Sequence, residues 1–211
     1  MFMSRVPGDP LDKLWKFLDE HQKSSIRDQL DDIVKGYKAI PAPITDETNA
    51  VFGGGNPRRC KDARRELRVA DYPISNESEF NQFISSNPQR TETEHIAMIR
   101  SYLKDDHEVV MTHGDLHPRN IMITIISYER EMFGRAATAD QNVPPGAEVL
   151  VTGIIDSEMC GWYPAYWEYV KALNTIGPGD GFGDWYKYLP QSIGVWPREH
   201  AVDLMLSRWH G

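Results

Sequence analysis

Cysteine is nearly missing from this chain. Only Cys60 and Cys160 occur, too few for a disulfide framework, and no CxxC or histidine-rich spacing suggests structural zinc. A reducing compartment, and with it a cytoplasmic location, is therefore the expectation. Long apolar runs are missing too. Nothing approaches the roughly 20 consecutive apolar residues that span a bilayer. The opening MFMSRVPGDP has neither the basic nor the apolar segment of a secretory signal, so no membrane partner is expected. The third deficit is basic charge: 23 Lys and Arg stand against 31 Asp and Glu, a formal net charge of −8. Phosphate backbones need clustered cations, which excludes nucleic acid as an expected partner. One small cluster stands out, Arg58, Arg59, Lys61, Arg64, Arg65 and Arg68, and it reads as a solvated loop running into a polar helix. What remains is ordinary globular composition, 40% hydrophobic and 26% charged over 211 residues, which suits one domain with at most a small appendage.

Periodicity divides the chain into a helical part and a part that carries strands. Asp9 as N-cap with Pro10 at the first position predicts a helix with Leu11, Leu14, Trp15 and Leu18 on one face. Ser24 and Ser25 open a second, in which Ile26, Leu30, Ile33, Val34, Tyr37 and Ile40 keep the 3.6-residue period until Pro41. From Pro41 to about Pro73 the sequence reads as a long surface loop. Its Gly53-Gly54-Gly55 leads into Asn-Pro rather than Gly-Lys-Ser/Thr, so it is not a phosphate cradle. Glu77 to Ser86 and Thr91 to Lys104 are predicted helices. Three short apolar strands follow, EVVMTH, IMITIIS and VLVTGIID, with the interval Tyr128 to Gly146 as a hairpin excursion or disordered insertion. The end of the chain reads as an aromatic-rich helix after Pro164, a glycine-rich turn, a short helix at DWYKYL and a last helix from about Pro197 to Trp209.

Chemistry is expected where those strands end. His113-Gly114-Asp115-Leu116-His117-Pro118-Arg119-Asn120 joins the first two, and Asp156 ends the third. A carboxylate followed five positions later by Asn, with a second carboxylate at a neighbouring strand end, is the set that Mg²⁺-assisted phosphoryl transfer requires. One Asp accepts the proton of the attacking hydroxyl; the Asn and the other Asp offer hard oxygen ligands to a cation bridging the nucleotide phosphates. His113, Asp115 and His117 at alternating positions suggest a rival, the dinuclear site of a metallophosphoesterase. That site needs further GDxxxR and GNH blocks, and the chain has none.

On these residues, His113 to Asn120 and Ile154 to Glu158, the chain resembles the aminoglycoside phosphotransferase family, most closely its fungal branch, within the protein-kinase-like fold. MSRVPGDPL, Ser78-Glu79-Phe80-Asn81 and GWYPAYWEYVKA extend the resemblance over nearly the whole chain. The fold it implies is α+β, a kinase-like C-terminal lobe covering residues 1–211, mainly helical with a small β-hairpin element at the catalytic loop. Residues 1–8 would be a hinge remnant and 128–146 a loop insertion. Against the family, the chain starts where the N-terminal β lobe should end, so that lobe, its phosphate-binding Lys and its Glu partner have no expected counterpart. The resemblance implies ATP with Mg²⁺ as cofactor and a small-molecule hydroxyl as acceptor. Asp115 would be the catalytic base, Asn120 and Asp156 the metal ligands, Glu158 either a water-mediated metal contact or a solvent carboxylate after the strand, and Met3, Ser4, Val6 and Asn120 the nucleotide contacts. His113 would shape the loop, and Glu168 would either hydrogen-bond the loop backbone or be an exposed helix charge.

Two departures from the family pattern stand beside this: Ser157 replaces the Trp common in its IDWE segment, and the Tyr128 to Gly146 interval is long. Trp162, Tyr163, Tyr166, Trp167 and Tyr169 read as core packed against the strands rather than as an acceptor pocket, and Cys160 as a small buried hydrophobe. The expected function is a phosphotransferase. The alternative is a catalytically silent, kinase-derived binding module or truncated gene product, whose surface toward the missing lobe favours self-association.

Overall fold

A computed structural model describes residues 5–42, 51–63, 67–86, 93–126, 143–174, 176–177 and 179–209. The fold is mixed α+β with small sheets. Met3 and Ser4 lie outside the described residues, as does the interval 128–146 up to residue 142. No described helix is long and apolar enough to cross a membrane.

The predicted first helix is cut short at both ends. Asp9–Pro10 (β1) pairs with the later strand residues Ile123 and Met122, so Asp9 serves a sheet and not a helix cap. Leu11–Leu14 (α1) and a 3-10 turn at Trp15–Phe17 follow, and the chain straightens at Leu18. The second helix, α2 (Glu20–Lys38), starts earlier than Ser24 because Asp19 and Gln22 form a capping box. The Asp19 carboxylate accepts from the Gln22 N–H, and the Gln22 side chain accepts from the Asp19 N–H. Gln22, Ile26, Leu30 and Val34, spaced by four, form its buried face. Ile26, Leu30 and Val34 pack with Leu11, Leu14, Trp15, Leu116, Ile121 and Ile123 into the first core cluster. Trp15 meets Trp185 edge-on at 5.3 Å and donates its indole N–H to Asp184 at 2.7 Å.

Two antiparallel strand pairs frame the site. Ile121–Ile126 (β5) pairs with Glu148–Ile154 (β6), giving a sheet of order β1-β5-β6, while Val109–Thr112 (β4) pairs with Gly161–Pro164 (β7). The segment between β4 and β5 is residues 113–120, and that between β6 and β7 is 155–160. Since β5 lies on β6 and β4 on β7, the two connections face each other. The Ile155 N–H donates to the Asn120 carbonyl at 2.8 Å and fixes that approach. Four strands in two sheets thus do what three strands were expected to do. The outer edge of β6 is covered by Gln29 of α2, whose amide donates to the Val149 carbonyl at 2.7 Å and accepts from the Val151 N–H at 2.8 Å.

The segment predicted as a surface loop is built into the structure. Lys61–Ala63 (β2) and Leu67–Val69 (β3) form a hairpin, and Gly53 exchanges backbone hydrogen bonds with Trp162 at 2.8 and 3.1 Å. The basic cluster is correspondingly less solvated than its sequence suggests. Arg58 is buried, with its guanidinium 5.2 Å from the Trp162 ring centre, and Arg68 pairs with the buried Asp62. Arg64 and Arg65 lie outside the described residues. Gly54 crosses so close to the turn before β7 that a Cβ there would sit 2.0 Å from the Cys160 carbonyl oxygen. Gly54→Ala is therefore expected to destabilise the fold by about 1–3 kcal/mol, because backbone stands on both sides of the contact. Thermal melting checks this, and an unchanged melting temperature would refute the packing argument.

A second core cluster lies on the other side of β4 and β7. It joins Phe52, Phe80, Phe83 and Ile84 to Tyr163, Tyr166 and Trp167. The elements around it are α3 (Glu77–Ser85), α4 (Glu94–Arg100), α5 (Trp167–Asn174) and α6 (Pro197–Trp209). The α4 helix is shorter than predicted from 91–104, and the aromatic segment after Cys160 spends its first residues as β7 before α5 begins. Tyr163, Tyr166 and Trp167 are core residues, as the sequence suggested; Phe80 meets Trp167 edge-on at 5.1 Å.

Candidate functional site

The 113–120 connection is gripped from below by one carboxylate. Glu168, in the first turn of α5 and only 2% exposed, accepts the His113 N–H at 2.6 Å and the Gly114 N–H at 3.1 Å. It also accepts the Tyr37 hydroxyl of α2 at 2.9 Å. Of the two roles open to Glu168, the loop-backbone contact is the one present. Burial raises the pKa of its carboxyl, and the donors from His113, Tyr37 and Gly114 act against that rise. The His113 ring crosses between the two connections: Nδ1 accepts the Asp115 N–H at 3.3 Å, so Nε2 carries the proton donated to the Ile155 carbonyl at 3.0 Å. A loop-shaping role follows from having both nitrogens occupied. Gly114 has φ +76° and no room for a Cβ, which would stand 2.8 Å from the Met159 carbonyl oxygen.

Asp115 is held by its own loop. Arg119 donates to both carboxylate oxygens, at 3.0 and 2.8 Å, and Asn120 donates Nδ2 to Oδ2 at 2.8 Å and to the Asp115 carbonyl at 3.0 Å. With Nδ2 committed twice, Oδ1 is the Asn120 atom left for a cation; the residue itself is buried, 4% exposed. Across from it, Asp156 is the one non-glycine residue with positive φ among the described residues (φ 65°, ψ 60°). Asp tolerates this left-handed conformation better than most residues, at a cost of about 1–3 kcal/mol that a site must hold in place.

Asp115, Asp156 and Glu158 line one cavity of about 580 Å³, with Gly114, Arg119 and Met159 beside them. Its lining also takes in Lys171 and Asn174 of α5 and Asp203 and Ser207 of α6. Nothing in the sequence pointed to these four, since they come from helices distant in the chain and their spacing is that of ordinary amphipathic faces. Both cations at the cavity already hold carboxylates: Arg119 holds Asp115, and Lys171 holds Asp62. Asn120 does not line the cavity but lies beneath Asp115. Val6 is elsewhere, against β6, where a Cβ on Gly153 would meet it at 3.1 Å. Met3 and Ser4 fall outside the described residues.

No family model matches the chain, and no curated protein matches it.

Among the described residues no group of three or more His, Cys, Asp or Glu is arranged to hold a metal ion. A zinc or dinuclear centre needs such a group, whereas Mg²⁺ is bound by one or two carboxylates, with waters and phosphates completing its shell. An exposed Asp156 fits the second description, with the side-chain Oδ1 of the buried Asn120 as the second oxygen, from beneath Asp115. The histidines fit neither: His117 accepts the Arg119 N–H on Nδ1 at 3.0 Å, and burial followed by Arg119 lowers its pKa. His117 meets Phe182 edge-on at 5.7 Å, and Cys160 is half-buried with its thiol pKa raised by burial.

Proposed function

We propose that this chain is a phosphotransferase of the kinase-like C-lobe type, moving the γ-phosphoryl group of ATP to the hydroxyl of a small molecule. The observation that carries this reading is the shared cavity of Asp115 and Asp156, delivered by two connections that the β5–β6 and β4–β7 pairings force to face each other. The motif resemblance points to the same reading. When bound with ATP, Mg²⁺ supplies charge neutralisation at the phosphates, and Asp156, the Asn120 Oδ1 and, through water, Glu158 are the residues that would hold it. Asp115 accepts the proton of the acceptor hydroxyl as that oxygen takes the phosphoryl group and ADP leaves. Its Oδ1, bonded by Arg119 alone, is the freer of its two oxygens for that task. Arg119 and Asn120 fix the carboxylate's direction, and the cavity residues from α5 and α6 are the ones available to orient the acceptor. Met3, Ser4 and Val6 are assigned to the nucleotide by resemblance.

A second reading, a silent binding module, is favoured by one specific feature, the two-oxygen grip of Arg119 on Asp115. Thermal melting with millimolar ATP separates the two. A Mg²⁺-dependent upward shift that disappears in Asp156→Ala is expected for the phosphotransferase. Absence of any shift in the wild-type protein favours the silent module, and a shift that survives Asp156→Ala removes Asp156 from the metal site.

A further inference from the structure

Buried carboxylates are held ionised by the hydrogen bonds they accept, and Glu168 accepts three: two from the loop backbone and one from a tyrosine on another helix. The loop amides come from His113 and Gly114, immediately before Asp115. The third donor, Tyr37, stands near the end of α2 and has no other role in the site. We propose that Tyr37 is a positioning residue for the Asp115 loop, acting through Glu168 to keep both loop amides bonded. In calling that loop catalytic this rests on the proposed function; the hydrogen-bond chain itself does not.

The geometry explains why a hydroxyl is needed there. Ionised Glu168 has two oxygens for three donors, with Oε2 shared by the His113 N–H and the Tyr37 O–H, and Oε1 taken by the Gly114 N–H. Protonation converts one oxygen into a donor, which then repels an amide that it had accepted. The grip therefore weakens as pH falls through the Glu168 pKa, which burial raises. Removing Tyr37 withdraws a donor that favours the ionised form, so the loss moves to higher pH. The other titratable groups in electrostatic contact with Glu168 are Lys38 of α2, His113 of the loop and Cys160 of the turn before β7. None of them provides the shared hydroxyl bond. The Tyr37 hydroxyl has its own pKa raised by burial and by Glu168, so it stays a donor at any working pH.

Amide hydrogen exchange on the intact chain tests this without activity. In Tyr37→Phe, protection of His113 and Gly114 is expected to fall about tenfold at neutral pH, the size of one lost hydrogen bond to a charged group. Protection at Leu30 in the core of α2 should change less, and the pH at which the loop amides lose protection should rise. A fall equal at Leu30 and at the loop, or an unmoved pH midpoint, would overturn the proposal. Lys38→Met serves as control: it removes a charge near Glu168 but no hydrogen bond to it, so the midpoint should rise less than in Tyr37→Phe, and a midpoint that moves as far would also overturn the proposal. Should Tyr37→Phe not fold, ¹³C-carboxyl NMR of the wild-type protein replaces it: coincidence of the Glu168 titration with the amide midpoints supports the proposal, and separation of the two overturns it. Kinetics then divide the two claims. Where ADP formation from Mg-ATP is measurable, kcat should fall with KM for ATP unchanged. An inactive wild type with responsive amides overturns the phosphotransferase reading alone, and an active wild type with unresponsive amides overturns the role of Tyr37 alone.

Discussion

Asp115→Asn is expected to reduce ADP formation from Mg-ATP by roughly 10²–10⁴-fold, the range for loss of a general base, while Mg-ATP affinity stays within a few-fold of wild type. The asymmetry comes from the local bonding. An amide has the carboxylate's shape but one acceptor oxygen; set at the Oδ2 position it still accepts from Arg119 and Asn120, and only the Arg119 bond to Oδ1 is lost. Asn120 keeps its second bond to the residue-115 carbonyl, which preserves the direction of its Oδ1, and Asp156 is untouched. Steady-state turnover with water or a panel of alcohols as acceptor, together with calorimetric titration of Mg-ATP, reads both quantities. Turnover within tenfold of wild type would remove Asp115 from the base role.

The largest stability effect is expected at a residue outside the cavity. Asp62 has a fully buried side chain and bonds Lys171 through one oxygen and Arg68 through the other. Asp62→Ala removes a carboxylate from two cations, one of them also enclosed, and should cost about 3–5 kcal/mol. For a chain of this size that corresponds to a melting temperature lower by roughly 6–20 °C. The pair Asp62→Leu with Lys171→Met should recover most of the loss, because removing both charges also removes their desolvation cost. Arg68 in that variant keeps the Ser86 and Ile84 carbonyls as acceptors. Urea titration with unchanged slope checks the comparison, and an Asp62→Ala protein as stable as wild type would refute it.

What the sequence made legible was whatever local pattern decides. The three apolar strands and the helix from Pro197 to Trp209 follow from short-range periodicity and stand close to where it put them. That Asp115 and Asp156 line one cavity follows from strand pairing, since each lies two or three residues beyond a strand end. The hairpin at 61–69 was not legible, since its strands are three residues long and its cross-chain partner Lys171 is 109 positions from Asp62. Arg58 and Arg68 misled for the same reason: a run of cations looks solvated until the distant ring and carboxylate that receive them are known. Start positions failed where two capping signals competed. Asp19 with Gln22 prevailed over Ser24 because the box satisfies two backbone donors at once.

Gln29 has a consequence for how copies of this molecule meet. Its amide occupies the middle of the β6 margin as a single-residue imitation of a neighbouring strand. Strand-by-strand polymerisation through that margin must first evict a side chain anchored on a long helix, so the route to fibrous growth is obstructed there without a proline being spent on the strand itself.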